Sequence, residues 1–432
     1  MINSLLAVTL IDGPLPIAFT VVSAALCVYL LARPPRRRWL LTVLAALLAA
    51  ATLSVLAWFI VVRIDHAFTA PIDHAVYFWF AATIAGTFLA IASLWRSSRW
   101  RKGIAAVAMV VFLITGTLNI NAGFGIDRTV GDFIGVLPSR PVTLPPRLHS
   151  RPGEGKPLWK TWKPPADMPT HGEVGTQVIP NTVSGFVSRP AGIYLPPAAL
   201  VPGAPPLPLV ILTMGQPGSP DPQYAAAILD QFASRHGGLA PIVIVPDQLG
   251  DPNQDTLCLD TPQFGNVETF LSKDVVNWVT ENLNVIHDHR YWTIAGYSNG
   301  GQCAISLMAK YPRLWSNVLD VSGEEFPGAE WSGDVLTQIF HGDQAAYDRQ
   351  KPINMLSHEK LPGTFGVFTA GSDDSVYVTA QQRVAAAARG AGMSAVSYEV
   401  PNGGHVMPAL TDGLAKGFQL LYPRLGLSPG LP

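Results

Sequence analysis

Apolar residues along this chain fall into three successive patterns. The first third holds four unbroken apolar stretches, at about 14–32, 39–62, 75–95 and 103–122. Each is close to the ~20 residues a helix needs to cross a bilayer core. The stretch from Trp39 to Val62 contains no charged residue at all, which a buried helix of a water-soluble domain rarely manages. From about Leu137 to Met168, proline stands at 138, 141, 145, 146, 152, 157, 164 and 165. That density resists helix and strand alike and predicts an extended, semi-rigid spacer. From Gly172 onward, short apolar runs alternate with amphipathic ones. Val178-Ile179 and the segments 192–195, 207–212, 241–245, 291–295, 316–322, 364–370 and 395–400 read as strands. Between them, 266–283 sets Val267, Phe270, Leu271, Val275, Val276 and Val279 on one helical stripe, and 377–389 is an alanine-rich helix. Such alternation predicts an α/β fold with a mostly parallel sheet covered on both faces. The predicted organisation is a four-helix transmembrane region at 1–136, a proline-rich linker at 137–171 and one α/β domain at 172–432.

Charge orients the helices. Arg33, Arg36, Arg37 and Arg38 separate the first two apolar stretches, and Arg96, Arg99, Arg101 and Lys102 separate the last two. The remaining connection, 64–74, carries Asp65 and Asp73 without lysine or arginine. The positive-inside rule then puts both basic loops in the cytoplasm, and the amino terminus and everything after about Ala122 outside. A cleaved leader does not fit, since no basic residue precedes the first stretch and three more stretches follow. The composition agrees: 48% hydrophobic, only 14% charged and a mean hydropathy of +0.26. A net charge of −1 leaves no basic footprint for nucleic acid. The apolar stretches also lack the intramembrane charges that transport pathways use. Cys27 falls in the first stretch; Cys258 and Cys303 fall in the exported part. There they either pair or remain two small buried thiols.

The chemistry centres on Gly296-Tyr297-Ser298-Asn299-Gly300, which follows the 291–295 strand and opens a helix-like run at 302–310. A serine two residues from a glycine on either side, at a strand-to-helix corner, is a nucleophile elbow. The corner lifts the hydroxyl clear of the sheet and presents the backbone N–H of Asn299 to a developing oxyanion. Two later strands supply partners in the order acid, then histidine. Gly371-Ser372-Asp373-Asp374 follows 364–370, and Pro401-Asn402-Gly403-Gly404-His405 follows 395–400. His405 is the expected general base, with Asp374 as its orienting acid; the Gly-x-x-Asp spacing favours Asp374 over Asp373. The second oxyanion donor is expected in Thr213-Met214-Gly215-Gln216-Pro217, at Gln216, since Pro217 has no N–H. His287-Asp288-His289 has no third ligand and reads as a solvated loop, so no metal site and no cofactor is expected. Acidic residues on the rim loops, Asp251, Asp255, Asp260, Glu324 and Glu325, are candidates to receive a cationic group, though solvated surface is the ordinary role of each.

From about Gly172 to Tyr422 the chain resembles an esterase family that includes S-formylglutathione hydrolases and antigen 85-type mycolyltransferases. The resemblance rests on Gly215-Gln216-Pro217-Gly218-Ser219-Pro220, Asn266–Leu271, Ala295-Gly296-Tyr297-Ser298-Asn299-Gly300-Gly301 and Gly403-Gly404-His405. It implies an α/β-hydrolase domain and a serine esterase or acyltransferase carrying Ser298 and His405. The acid transfers less directly, because some relatives use glutamate there. Val406-Met407 departs from the Asp-Trp found after the histidine in many relatives. The helical region is similar to that of actinobacterial membrane-anchored esterases, some of whose relatives remove aminoacyl groups from phosphatidylglycerol. The expectation is a membrane-anchored, extracytoplasmic serine esterase or acyltransferase acting on an envelope ester. The alternatives are an aminoacyl-phospholipid hydrolase and an inactive binding module on the same fold.

Overall fold

Four helices account for the apolar first third: α1 (Pro14–Leu31), α2 (Arg37–Trp58), α3 (His74–Leu94) and α4 (Arg99–Phe124). A π-turn, Phe59–Ile64, prolongs α2. In the computed structural model, residues 5–6, 8–11, 13–33, 37–64, 74–95, 97–125, 127–133, 140–145 and 157–430 are described. Each of the four helices is long and apolar enough to cross a membrane. On α2 only Ala50 is buried, while Leu40, Leu41, Leu44, Leu47 and Leu48 face outward. Such a surface is a liability in water and natural in lipid. Small residues let the helices approach. A Cβ on Gly116 would lie 1.9 Å from Thr83 Oγ1, and Ser23 and Thr115 share a 2.7 Å hydroxyl bond between α1 and α4. At the end of α1, Arg101 donates to the carbonyls of Tyr29 (2.7 Å) and Ala32 (3.2 Å), and Arg33 to Ser97 Oγ (2.5 Å). Basic groups there satisfy carbonyls that a helix end leaves open. The acidic connection with Asp65 and Asp73 lies outside the described residues.

The chain divides after Pro138. The second unit is an eight-stranded sheet in the order β1-β2-β4-β3-β5-β6-β7-β8. Its strands are β1 (Glu173–Gln177), β2 (Ala191–Leu195), β3 (Leu209–Thr213), β4 (Ile242–Val245), β5 (Trp292–Tyr297), β6 (Asn317–Val321), β7 (Phe365–Gly371) and β8 (Ser394–Val400). β2 pairs antiparallel with β1 and β4; from β4 through β3 to β8 every pairing is parallel. Every residue of β2, β3, β4 and β6 is buried. Successive side chains point to opposite faces, so both faces are covered. The coverings are α5 (Gln223–Arg235), α6 (Val275–Asn282), α7 (Asn299–Lys310), α8 (Ser375–Gly390) and α9 (Ala409–Arg424).

Three details differ from the sequence reading. The first strand is Glu173–Gln177, not Val178-Ile179. It is an edge strand with mixed burial, so its polar composition hid it; Ile179 is buried in the coil that follows. The 266–283 stripe is not one regular helix, because a π-turn at Phe270–Asp274 interrupts it. Of its predicted inward residues, Val267, Phe270, Leu271, Val275 and Val279 are nonetheless buried, and Val276 is half-buried. The proline-rich stretch is not a free spacer where it is described. Val142 is buried, the Arg140 N–H donates to Thr176 Oγ1 (3.1 Å), and Trp162 Nε1 donates to the Gly237 carbonyl (2.8 Å). One helical turn, Leu158–Thr161, forms there, and the residues between prolines remain free to pack.

Candidate active site

The carboxyl ends of β5, β7 and β8 deliver three side chains to one rim, where parallel-sheet folds place their sites. Ser298 follows β5 with φ 55° and ψ −122°, a left-handed strain that a non-glycine residue holds only when its surroundings enforce it. They do so by close approach. A Cβ on Gly296 would fall 1.8 Å from the Gly300 carbonyl, and one on Gly300 would fall 2.1 Å from that of Thr213. Glycine is therefore required at both positions flanking the serine. The Ser298 N–H is held by the Val321 carbonyl at 2.9 Å.

His405 Nε2 lies 2.9 Å from Ser298 Oγ, and its Nδ1 lies 3.1 Å from Asp374 Oδ2. The hydroxyl, imidazole and carboxylate thus form one hydrogen-bonded row. Asp374 is wholly buried and also caps α8, its Oδ1 accepting from the Tyr377 N–H at 3.3 Å. Asp373 points elsewhere and is exposed, taking a 3.1 Å bond from Ser372 Oγ. Its backbone N–H donates to Gly403 at 2.9 Å, tying the β7 corner to the histidine loop. A Cβ on Gly371 would meet the Gly404 carbonyl at 2.1 Å, so the two loops touch through backbone. Tyr297 OH donates to the His405 carbonyl at 2.9 Å, and the Tyr377 ring lies 4.1 Å from the imidazole, centroid to centroid.

The loop after β3 passes beside the serine. A Cβ on Gly215 would stand 3.2 Å from Ser298 Cβ, and Gln248 Nε2 donates to the Met214 carbonyl behind it. The Gln216 side chain is turned to the Asn253 carbonyl (2.8 Å), while its N–H has no hydrogen-bond partner among the described residues. Asn299 opens α7, where an N–H has no acceptor within the helix.

Around this row sits a group of carboxylates that the sequence reading found only in part. Asp255 accepts from Asn299 Nδ2 (2.6 Å), the Leu257 N–H (2.7 Å) and Trp331 Nε1 (3.2 Å). Glu324, 7% exposed, accepts from the Ala329 N–H (2.9 Å). Glu330, missed from sequence, accepts from Tyr377 OH (2.7 Å). Burial, and after it the charge of its neighbours, pushes Glu324 well above the usual carboxylate range. Burial raises Asp255 too, against the three hydrogen bonds that pull it down. The other rim candidates serve elsewhere: Asp251 closes a turn on the Asn253 N–H, Asp260 holds Thr269, and Glu325 pairs with Arg383. In the His287–His289 segment, His289 bonds the Arg313 carbonyl and Asp288 pairs with Arg290.

Cys258 and Cys303 are joined in a disulfide with a Cα separation of 5.5 Å, within the ordinary range. It fastens the Asp255 loop to the helix that Asn299 begins. Converting both cysteines to serine should lower the unfolding free energy by about 3–4 kcal/mol, because a loop of 45 residues is then released in the unfolded chain. The denaturant midpoint of the full-length protein in detergent measures this.

Residues 188–395 match the model of the esterase family, a stretch that contains Ser298 and Asp374 and stops short of His405. Over 409 residues the chain is 30% identical to an uncharacterised protein of Corynebacterium glutamicum, with 91% of each chain covered. The chain belongs to the esterase family. It is accordingly a carboxylic-ester hydrolase of the α/β-hydrolase fold, preceded by four apolar helices. An S-formylglutathione hydrolase from Agrobacterium tumefaciens has the same fold, with a TM-score of 0.50 at 17% identity, covering 60% of this chain and 98% of that one. The Corynebacterium glutamicum protein matches along nearly the whole length.

Proposed function

We propose that the chain is a membrane-anchored serine esterase whose catalytic unit faces the outside of the cell and cleaves an ester of the envelope. The observation that carries this reading is the row Ser298–His405–Asp374, with 2.9 and 3.1 Å steps. With its proton on Nδ1, His405 donates to Asp374 and accepts from the Ser298 hydroxyl at Nε2. As Ser298 attacks the ester carbonyl, His405 takes that proton and then passes it to the departing alcohol. The N–H groups of Asn299 and Gln216 stabilise the oxyanion. The acyl group leaves Ser298 to water, or to an alcohol if the enzyme transfers it.

The location rests on the charge difference between the connecting loops, and the disulfide fits an oxidising compartment. Four membrane helices hold the site near the bilayer and raise the effective concentration of lipid-borne esters. The test is labelling by a serine-reactive phosphonate in membranes: wild type reacts, whereas Ser298→Ala and His405→Ala do not. Labelling that persists in Ser298→Ala removes the nucleophile. Location has its own check. A protease added to intact cells, or to spheroplasts, should degrade the unit after Pro138; its protection until lysis would reverse the orientation.

A further inference from the structure

The helical unit holds a cavity that ester cleavage leaves unused. Its volume is about 430 Å³, and it lies between α1 and α2 with α3 and α4 behind. Leu31, Val43 and Leu89 line one end, Thr20 and Phe78 the other. These levels are 11 residues apart on both α1 and α3, about 17 Å at a rise of ~1.5 Å per residue. Half of a ~30 Å hydrocarbon core is ~15 Å, so the cavity is about one leaflet deep. The hydroxyls on its walls are engaged. Ser23 bonds Thr115, Thr83 donates to the Trp79 carbonyl at 2.7 Å, and Thr20 accepts from Asn119 at 3.3 Å. Such walls offer water little and suit hydrocarbon. Leu31 and Leu47 line the cavity and are 43% and 51% exposed, so it opens to the surrounding lipid.

The Leu31–Leu89 end leads to two guanidinium groups. Arg33 stands just after Leu31 and donates at 3.3 Å to the carbonyl of Ser93, one turn beyond Leu89. Arg101 donates to the carbonyls of Tyr29, Leu30 and Ala32. The two lie close enough for their charges to act on each other. Among the described residues neither meets a carboxylate, and the Nε–H of each is buried without an acceptor. Carbonyl oxygens occupy donors but do not neutralise two adjacent positive charges, which repel one another. An anion completes this corner. Aromatic rings mark its depth. The Trp39 ring lies 4.2 Å from the Arg33 guanidinium and the Tyr29 ring 4.8 Å from that of Arg101, while Trp95 and Trp100 are 72% and 84% exposed. Tryptophan and tyrosine gather where hydrocarbon gives way to headgroups.

We propose that the corner and the cavity form one binding site for an anionic phospholipid of the leaflet on the Arg33 side. Its phosphate sits against Arg33 and Arg101, and one acyl chain runs past Leu31 and Leu89 towards Phe78. The combination selects the occupant: paired charge at headgroup depth, continued by a dry cavity as deep as one chain. A zwitterionic lipid fills the cavity but brings its own ammonium to the arginines. A soluble phosphate answers the charge and leaves the cavity empty. The bound lipid joins α1, α2 and α3 along the seam where they part, so its removal loosens the helical unit and leaves the chemistry at Ser298 untouched.

The test uses the full-length protein, delipidated in detergent, with dioleoylphosphatidic acid, dioleoylphosphatidylcholine and sn-glycerol 3-phosphate as probes. Native mass spectrometry should show one phosphatidic acid retained, bound about tenfold or more tightly than phosphatidylcholine, the scale of two arginines at a membrane surface. Glycerol 3-phosphate should not displace it. Arg33→Gln combined with Arg101→Gln should bring the two lipids to nearly equal affinity, whereas Arg37→Gln with Arg38→Gln, an exposed pair of the same charge, keeps the preference. Ala82→Phe fills the cavity and should weaken both lipids. Cys27 lines the cavity and is the cysteine outside the disulfide; phosphatidic acid should slow its reaction with N-ethylmaleimide several-fold. Circular dichroism and elution volume show whether the variants stay folded, and the Cys27 measurement needs no variant. Equal affinity of wild type for the two lipids, or a preference that survives loss of both Arg33 and Arg101, overturns the headgroup site. Cys27 equally reactive with and without lipid, or lipid retention unchanged in Ala82→Phe, removes the chain from the cavity and overturns the proposal. Displacement by glycerol 3-phosphate overturns it in favour of a soluble phosphate.

Discussion

Ser298→Ala is expected to reduce ester turnover by about 10⁴–10⁶-fold, the scale found when the nucleophile of a serine triad is removed. The hydroxyl stands 2.9 Å from His405 Nε2. It sits at the left-handed corner between β5 and α7, and the glycines at 296 and 300 admit no side chain. Water bound in its place would lack a covalent route and would have to be aligned afresh for every turnover. The substitution should leave folding nearly intact, since the Ser298 N–H keeps its bond to Val321 and alanine removes only one oxygen. Single-turnover hydrolysis of an aryl ester, read beside the circular dichroism of the same preparation, separates lost chemistry from lost structure. Turnover within tenfold of wild type would place the nucleophile elsewhere.

Asp374→Asn should lower kcat by about 10³–10⁴-fold while Asp373→Asn stays within a few-fold of wild type. The two residues are adjacent in sequence and opposite in circumstance. Asp374 is fully buried with one oxygen on His405 Nδ1 and the other on the α8 cap, so it both selects the imidazole tautomer and balances the imidazolium. An asparagine there offers its Nδ2 to the ring or forces the ring proton onto Nε2, where it faces the serine. Asp373 contributes its backbone N–H to Gly403, which substitution preserves. The paired measurement of kcat on one substrate decides between them, and equal losses would show that the corner is simply fragile.

Much of this site could be read without coordinates because its parts are local. A glycine-serine-glycine corner between a β-rich run and a helical run carries its own steric logic at Gly296 and Gly300, and Gly403-Gly404-His405 announces a close-packed loop. Membrane helices are legible for a similar reason: hydropathy and arginine placement act segment by segment. What stayed hidden depends on distance. Glu330 and Trp331 lie in a stretch of short helical turns without clear periodicity, and only the fold brings them to Tyr377 and Asp255. Asp251, Asp260 and Glu325 look like Asp255 in sequence; each was already engaged by a neighbour that only the structure identifies. The edge strand at 173–177 was missed because one side of it needs no apolar residues, and Trp162 docks from a proline-rich stretch whose composition suggests only extension.

The covalent link between residues 258 and 303 means that part of this cleft is finished only after two thiols have lost their electrons. Chain made and kept among cytosolic reductants would have its acid-bearing loop held to the nucleophile helix by non-covalent contacts alone, the Asn299–Asp255 hydrogen bond among them. Production in a reducing host should therefore yield protein that carries every residue of the site and yet reads its substrate poorly.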